Sequence, residues 1–422
     1  MQALNALKNQ LLDLAIRGKL VPQIDGEAGV EQIGKVPEKV PFEIPEKWKW
    51  TRLDRIAEII SGRDLPRSEI IETPTGTPYI TGASQFDSTG IIANRWTDTP
   101  IVISEKNDLL LTVKGTVGKL AINKIGTVHI ARQIAAIRPI NPSVVLTEYL
   151  FICFQSISSL LSKSANGMIP GIGRKDIVNR PIPLPPLKEQ QRIVEKLGSL
   201  FSKIDVIQKS MDEVSQLSSS LEKQLLQSAI SGKLVQQLDE EPEVAQIGQA
   251  PEETPFEIPG KWRWIRLDLI AKIVSGRDLS KSEIIETPAS TPYITGASQF
   301  DSTGIIANRW TDNPVVISEK DDLLLTVKGT VGKIAINKIG KVHIARQIAA
   351  IRPINPSVVL TEYLFIYFQN ISSLLSKSAN GMIPGIGRKD IVNQLIPLPP
   401  LGEQKRIVEK LDKLMLEIQK LK

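Results

Sequence analysis

The residues of this sequence best suited to chemistry are cationic and amide side chains beside predicted turns. Lys114 and Lys119 flank the glycine-rich segment 115–118. A nucleotide-binding loop needs four residues between its glycines and a Ser or Thr after its lysine, and this segment has neither. A tight turn between two strands is the simpler interpretation. Such a turn would also present both lysines to the phosphates of a nucleic acid.

Side chains that suit nucleic-acid recognition lie next to other turn and strand signals, where loops carry function. In the major groove Arg pairs with guanine and Gln or Asn with adenine, while Lys and Arg also contact phosphates. The alternative for each of these residues is that it is a solvated surface side chain or that it forms a hydrogen bond within its own turn. The predicted base readers are Gln85, Arg132, Gln133 and Asn166, and their equivalents Gln299, Arg346, Gln347 and Asn380. The predicted phosphate contacts are Arg63, Lys114, Lys119, Arg174 and Lys175, and their equivalents Arg277, Lys328, Lys333, Arg388 and Lys389.

Residues for catalysis or metal binding form no recognisable pattern. The chain has two histidines, His129 and His343, and one cysteine, Cys153. Without a cysteine cluster nearby, the histidines do not indicate a zinc site, and we interpret them as polar or core residues of a strand. A single cysteine excludes an internal disulfide framework and indicates a reducing compartment. Asp98 and Asp108 have no partners arranged for acid–base work, so we expect solvated turns.

Length and charge narrow the class of protein. A chain of 422 residues exceeds what one hydrophobic core usually organises, so we expect two domains. The net charge of +6 and the isoelectric point near 9.1 modestly favour a polyanionic partner. No apolar run has the length of a signal or of a membrane span, so we expect a cytoplasmic protein.

An internal repeat organises the chain. Residues 1–208 align with 215–422 at a constant offset of 214 without a gap. Between 42–187 and 256–401, 19 of the 146 aligned positions differ. The two halves must therefore share one fold. Since Tyr367 is the equivalent of Cys153, we interpret the thiol as a packing residue.

Each repeat opens with a polar segment rich in Pro and Gly, 21–45 in the first, which predicts an irregular linker. The body that follows contains predicted strands at 108–113 and 119–122, joined by the glycine turn. A third strand is predicted over 128–137, which is rich in β-branched residues. Apolar spacing predicts an amphipathic helix over 150–161. The body is therefore predicted to be α+β.

The segment 187–231 is predicted to be one long helix. Its apolar residues recur by threes and fours from Ile193 to Leu225, which is coiled-coil spacing, and at 1.5 Å per residue it would be roughly 65 Å long. Residues 401–422 repeat its first half and residues 1–17 repeat its second half. The termini together could rebuild a second copy, packed antiparallel against the first in a circular, pseudo-two-fold arrangement. The alternative is that these helices dimerise the protein with another copy.

Several segments resemble the specificity subunits of type I restriction-modification systems. Residues 182–197, IPLPPLKEQQRIVEKL, repeated at 396–411, resemble the junction between a recognition domain and a conserved helix in that family. Residues 44–48, IPEKW, followed by Arg52-Leu53-Asp54, look like the entry to such a domain. The resemblance spans the whole chain.

The resemblance implies an architecture and a set of partners. In that family the specificity subunit joins two modification subunits to make an adenine-N6 methyltransferase that uses S-adenosylmethionine, and restriction subunits add an ATP- and Mg-dependent nuclease. Each recognition domain reads one half of a split DNA target. The implied domains are a terminal helix (1–20 and 401–422), recognition domains at 21–186 and 235–400, and a central helix at 187–234.

The chain itself is predicted to be non-catalytic and to hold no cofactor. A methyltransferase of this class would need an Asn- or Asp-Pro-Pro-aromatic motif, and no such tetrapeptide occurs. Most members of the family carry two dissimilar domains and read asymmetric sites, whereas these repeats predict a palindromic, interrupted target. The rival hypothesis is a coiled-coil scaffold whose paired domains bind a partner other than nucleic acid. It explains the repeat but not the resemblance.

Overall fold

The computed structural model describes residues 2–87, 90–165, 170–288, 290–301, 304–379, 381 and 384–421. The chain divides into two compact units, Met1–Ser210 and Met211–Lys422, with the division inside its longest helix. Both units run through the same order of elements, as the sequence repeat requires. The residue ranges predicted for the five domains remain predictions.

The first unit contains short strands between two groups of helices. Its helices are α1 (Gln2–Ile16), α2 (Thr147–Ser156), α3 (Ser158–Ser164), α4 (Arg174–Val178) and the beginning of α5 (Leu187–Ile230). Its strands are β1 (Lys49–Arg52), β2 (Ala57–Ser61), β3 (Thr77–Ile80), β4 (Phe86–Asp87), β5 (Gly90–Ile91), β6 (Trp96–Thr97), β7 (Ile103–Ser104), β8 (Leu109–Thr112), β9 (Leu120–Ile122), β10 (Val128–Ile130), β11 (Ile134–Pro139) and β12 (Pro181–Leu184).

The second unit has the equivalent elements. Its helices are the end of α5, α6 (Leu267–Ile270), α7 (Thr361–Ser378), α8 (Arg388–Val392) and α9 (Leu401–Gln419). Its strands are β13 (Arg263–Arg266), β14 (Ala271–Ser275), β15 (Thr291–Ile294), β16 (Phe300–Asp301), β17 (Gly304–Ile305), β18 (Trp310–Thr311), β19 (Ile317–Ser318), β20 (Leu323–Thr326), β21 (Ile334–Ile336), β22 (Val342–Ile344), β23 (Ile348–Pro353) and β24 (Leu395–Leu398).

Two four-stranded sheets form the body of each unit. In the first unit the strand orders are β2-β11-β8-β9, which is antiparallel throughout, and β6-β3-β10-β7, in which β3 and β10 are parallel. The β1–β12 ribbon brings the entry and the exit of the body together, and the second unit repeats these orders. The mixed α+β fold predicted from the sequence is confirmed.

The strand predictions succeeded for the hairpin and failed for the segment after it. Strands β8 and β9 pair across a turn in which Gly115 and Gly118 have φ of 74° and 92°, a region that favours glycine. The single strand predicted over 128–137 is wrong. The chain turns at 131–133, where the Ile134 amide donates to the Ala131 carbonyl at 2.9 Å, so β10 and β11 belong to different sheets.

The predicted amphipathic helix is present in both units but is interrupted in the first. There the Ser156 hydroxyl donates to the Cys153 carbonyl at 2.7 Å, a local bond that competes with the helical ladder, and α2 ends before Ile157. Asn370 is the equivalent of Ser156, and α7 runs through this point unbroken. A serine-to-asparagine difference therefore accompanies the main local difference between the repeats.

The two largest apolar cores of each unit lie on opposite faces of one sheet. In the first unit Leu109 and Leu111 of β8 face the helices and join Tyr149 and Ile193 in the larger core. Leu110, on the opposite face of the same strand, packs between the two sheets. Because β8 is covered on both faces, it is a continuous apolar run rather than an alternating one.

Long helices pack against the bodies. In the first unit α1 runs antiparallel to the start of α5, since Lys8 pairs with Asp205 at 2.6 Å while Ile16 shares a core with Ile193. In the second unit the end of α5 shares a core with α9. The single helix predicted over 187–231 is confirmed. That the two termini rebuild a second continuous helix stays a prediction.

A buried carboxylate anchors each body to the first turn of a long helix. Glu403 of α9 accepts from the Trp262 indole at 2.9 Å and from the Gln237 amide at 2.7 Å. Burial raises the pKa of Glu403, and these two hydrogen bonds act in the opposite direction. Glu189 is the equivalent residue of α5, where Gln23 donates to it. In the second unit the linker, the body and the long helix are therefore joined by hydrogen bonds to Glu403.

Candidate nucleic-acid interface

A tight turn between the two sheets of each unit carries two of the predicted base readers. Arg132 and Gln133 occupy this crossover turn, 131–133, and both side chains are exposed. The segment after β2 passes directly beside it, because the Gly62 amide donates to the Ile134 carbonyl at 3.0 Å and the Arg63 amide donates to the Ile130 carbonyl at 2.9 Å. Arg63 is therefore held next to the readers.

The close approach at this turn requires a residue without a side chain. A β-carbon added to Gly62 would lie 2.1 Å from the Ala131 carbonyl oxygen, a backbone atom that cannot rotate away. Gly62→Ala is expected to destabilise the protein by about 3 kcal/mol through this overlap. Gly26→Ala is the matched control, because a β-carbon added to Gly26 would have no neighbour within 4 Å. Urea unfolding of both variants checks this, and equal free energies of unfolding would contradict it.

An aspartate holds the arginine of the crossover turn. Asp64 Oδ1 accepts from the Arg132 backbone amide at 3.1 Å, and Asp64 Oδ2 pairs with Arg132 Nε at 2.7 Å. Asp278 and Arg346 repeat both contacts at the same distances. The Asp64 and Arg132 side chains remain 44% and 65% exposed, so the pair faces solvent.

A buried histidine fixes the backbone next to this aspartate. The Nδ1 atom of His129 accepts from the amides of Ile101 and Val102, so Nε2 carries the proton and donates to the Arg63 carbonyl at 2.9 Å. The ring packs on Tyr79 with centroids 4.9 Å apart. His343 has equivalent contacts. These histidines are core residues of a strand, as the sequence predicted.

Burial lowers the pKa of His129 and of His343 in the folded protein. The unfolded chain takes up protons at both histidines as the pH falls below about 6.5, while the folded chain takes them up only at lower pH. Their contribution to stability is therefore complete above that pH and is lost as the pH falls towards the lowered, folded-state pKa. We expect a double His129→Gln, His343→Gln variant to lose less stability than the wild type over this window in urea unfolding. Parallel losses would contradict the prediction.

The glycine turn lies beside the crossover turn. The Val113 amide donates to the Gln133 carbonyl at 2.7 Å, which places Lys114 next to the readers. The backbone of Lys114 also forms an isolated antiparallel β-bridge with Gly171. This bridge holds the start of the glycine turn in place. Lys119 lies between the glycine turn and the start of β9, and it is also exposed.

Four predicted residues are thus brought together in each unit, and we name this set the crossover patch. It consists of Arg63, Lys114, Arg132 and Gln133 in the first unit and Arg277, Lys328, Arg346 and Gln347 in the second. Gln347 is half-buried, and its Oε1 atom is buried without a hydrogen-bond partner within the described part of the chain. The patch can therefore offer guanidinium donors, a lysine cation and, in the first unit, the exposed amide of Gln133.

The remaining predicted phosphate contacts lie around the patch rather than in it. Arg174 and Lys175 begin the short helix α4 and are exposed, and the Arg174 guanidinium donates to the Ile59 carbonyl of β2. Arg388 and Lys389 begin α8 in the same way, and Lys333 is the exposed equivalent of Lys119.

Gln85 and Gln299 require a correction. Each side chain is only 2% exposed, and the Gln85 amide accepts from Thr81 while donating to the Tyr79 carbonyl at 3.0 Å. Gln299 makes the equivalent bonds. Since these side chains close the turn after a strand, they are not available to read bases. Asn166 and Asn380 lie outside the described residues.

Sequence reasoning missed two charged residues at the patch. One is Asp64. The other is Arg95, exposed beside β6, whose carbonyl accepts from the Tyr79 amide at 2.7 Å. Burial raises the pKa of Tyr79, and the positive charges of Arg95 and Arg132 act in the opposite direction. The unchanged repeat Asn94-Arg95-Trp96 at 308–310 was the available signal.

Metal-binding clusters and membrane-spanning helices are absent from the described residues. In the ranges given above, no group of three or more His, Cys, Asp and Glu side chains is placed to hold a metal ion. Among those same residues, no helix is long and apolar enough to cross a membrane.

The pattern of two similar bodies matches a known family. The family model for the type I restriction modification DNA specificity domain matches residues 45–216 and 259–422. The chain belongs to this family. Each matched segment contains one crossover patch, and the resemblance inferred from 182–197 and 44–48 is confirmed. As a member of the specificity family, the chain is a DNA sequence-recognition subunit of a type I restriction-modification system.

Curated relatives and solved structures agree with this assignment. The specificity subunit of the type I restriction enzyme EcoAI of Escherichia coli is 25% identical, with 99% of this chain and 90% of that protein covered. The putative MjaX specificity subunit of Methanocaldococcus jannaschii is also 25% identical, with 87% of each chain covered. Two solved chains share the fold at 24% identity. One, from a type I R-M system, has a TM-score of 0.67 and covers 90% of this chain and 93% of its own. The other, the HsdS subunit of Thermoanaerobacter tengcongensis, has a TM-score of 0.56 and covers 90% and 92%.

Proposed function

We propose that the chain binds a bipartite DNA target, with one crossover patch reading each half. The observation that carries this proposal is the repetition of an exposed, positioned Arg and an adjacent Gln at the same turn of both specificity domains. Arg suits guanine and Gln suits adenine in the major groove. The phosphates around the crossover patch would be contacted by the other predicted cations, which are Lys119, Arg174 and Lys175 and their equivalents Lys333, Arg388 and Lys389.

The chain contributes recognition and no chemistry of its own. The methyltransferase motif is missing from its sequence, and it would dock two modification subunits that bring S-adenosylmethionine. Restriction subunits, which use ATP and Mg, would join through them. Apolar side chains in the middle of α5 support a docking role, since Met211, Val214 and Leu217 are 48%, 40% and 70% exposed. We place this assembly in the cytoplasm with its DNA.

The salt dependence of DNA binding tests the proposed function against the scaffold alternative. Neutralising phosphates with Lys and Arg releases counterions, so affinity for duplex DNA should fall steeply as salt rises. The measurement is a mobility-shift titration of the full chain with a randomised duplex over a salt series. Salt-insensitive or absent binding, with and without the modification subunits, would favour the scaffold.

The symmetry of the repeats predicts the form of the target. Because the patch residues are identical in the two units, the two half-sites should have the same sequence. The pseudo-two-fold arrangement predicted from the sequence would make them inverted copies, with centres about one helical turn, roughly 10 bp, apart. Each half-site should contain the adenine that is methylated. Methylome sequencing of a host that expresses the chain with its modification subunit tests this. An asymmetric split motif would refute the palindrome while leaving the DNA-binding function intact.

A further inference from the structure

An acidic side chain lies within the cationic crossover patch of each unit. Asp64 follows Arg63 directly and contacts Arg132 through both of its carboxylate oxygens, at 3.1 Å to the backbone amide and 2.7 Å to Nε. Asp278 has the same two contacts with Arg346. A carboxylate at a DNA-binding surface repels phosphates, so its presence in both repeats has an electrostatic cost.

The ion pair between Asp64 and Arg132 contributes little to the stability of the fold. The two side chains are 44% and 65% exposed, and ion pairs in that setting contribute at most about 1 kcal/mol to folding. The backbone beside Asp64 is fixed independently, because His129 accepts from two amides and donates to the Arg63 carbonyl. The carboxylate is therefore presented from a rigid segment.

The pairing leaves the reading edge of the arginine open. A guanidinium group has five N–H donors, and Asp64 Oδ2 forms an ion pair with Arg132 at the Nε atom, 2.7 Å away. Among the described residues, the two Nη atoms of Arg132 donate no hydrogen bond, and two of their four donors match the O6 and N7 acceptors of guanine. An arginine whose Nε is anchored also loses less rotamer freedom when it binds.

We propose that Asp64 and Asp278 are positioning residues that orient Arg132 and Arg346 to select a guanine in each half-site. This proposal rests on the proposed DNA-reading function of the crossover patch. The proposal predicts that replacing the aspartates changes DNA affinity in the direction opposite to the one that charge alone predicts. Removing a negative charge from a DNA-binding surface should strengthen binding by electrostatics alone, whereas removing a positioning carboxylate should weaken sequence-specific binding.

The experiment compares double variants of the full chain in a binding selection from a randomised duplex library, followed by titration with the duplex that the wild type selects. For Asp64→Ala, Asp278→Ala we expect the preference for guanine at one position of each half-site to fall by about tenfold. Affinity for unselected duplex should stay equal or rise. Asp64→Glu, Asp278→Glu keeps the charge and should retain part of the preference. The midpoint of thermal unfolding should fall only slightly, since the ion pair is exposed and each unit loses one hydrogen bond to a backbone amide.

The matched control removes the same charges elsewhere. Glu38→Ala, Glu252→Ala changes two exposed acids of the linkers at equivalent positions, and it should leave the guanine preference unaltered. If the aspartate double variant selects the wild-type sequence with undiminished preference, the positioning role is overturned while DNA recognition stands. If the wild type itself selects no sequence, the proposed function of the patch fails first, and the positioning role with it.

Discussion

Replacing Arg132 and Arg346 together with alanine is expected to weaken binding to the selected DNA duplex by roughly 100-fold. A bidentate contact between Arg and a base contributes about 1–3 kcal/mol of discrimination, and the double variant removes one such contact from each half-site. Because each arginine is exposed and its partner aspartate is half-exposed, the folded structure should survive the change. Titration with the selected duplex and with an unrelated one measures the effect. The loss should be larger for the selected duplex.

Another arginine–aspartate pair, which is partly exposed, supplies the control for this experiment. Arg52 pairs with Asp54 at 2.7 Å, and Arg266 pairs with Asp268 at the same distance, at the start of each body rather than at the crossover turn. Arg52→Ala, Arg266→Ala removes the same charge and should reduce binding to both duplexes alike and only slightly. Equal losses of specificity in the two double variants would refute a reading role for Arg132.

Replacing Arg138 and Arg352 with alanine is expected to destabilise each unit by about 3 kcal/mol. Arg138 donates from Nε and Nη2 to Asp108 at 2.9 and 2.8 Å, and the Asp108 side chain is only 3% exposed. The solvated turn expected at Asp108 from the sequence is therefore wrong. Removing the arginine leaves a buried carboxylate without its counter-charge, which is costly. Arg352 and Asp322 make the equivalent pair, so the double variant weakens both units together. Urea unfolding measures the loss.

The exposed pair at the crossover turn is the control for stability. Arg132→Ala, Arg346→Ala removes two arginines from ion pairs with aspartates that are 44% and 38% exposed, and it should cost less than about 1 kcal/mol per unit. The two double variants should therefore have opposite profiles. One loses stability and the other loses DNA recognition. A large stability loss in both would show that the crossover pair is structural.

Features with a local or periodic signal were predictable from the sequence. The offset of 214 required two copies of one fold, and the glycine turn at 115–118 predicted the β8–β9 hairpin. The spacing of apolar residues predicted α5, since a helix must repeat its buried face every few residues. The motif at 182–197 indicated the family. Each of these signals depends only on neighbouring residues or on a fixed period.

The crossover patch depended on contacts that no local pattern encodes. The apolar, β-branched run at 128–137 reads as one strand, and only the pairing of its two parts with different sheets creates the turn that presents Arg132. Gln85 looked like a base reader from its residue type, yet the fold buries it against Thr81 and Tyr79.

By itself, then, the sequence determined the repeat, the α+β bodies, the long helix and the family, because these follow from composition, period and motif. Only the tertiary structure decided which predicted residues share a surface. Asp64 and Arg132 are 68 positions apart, and they meet because Gly62 lets one backbone segment pass directly against another. Such a contact is a property of packed sheets, and it has no counterpart in the spacing of the residues along the chain.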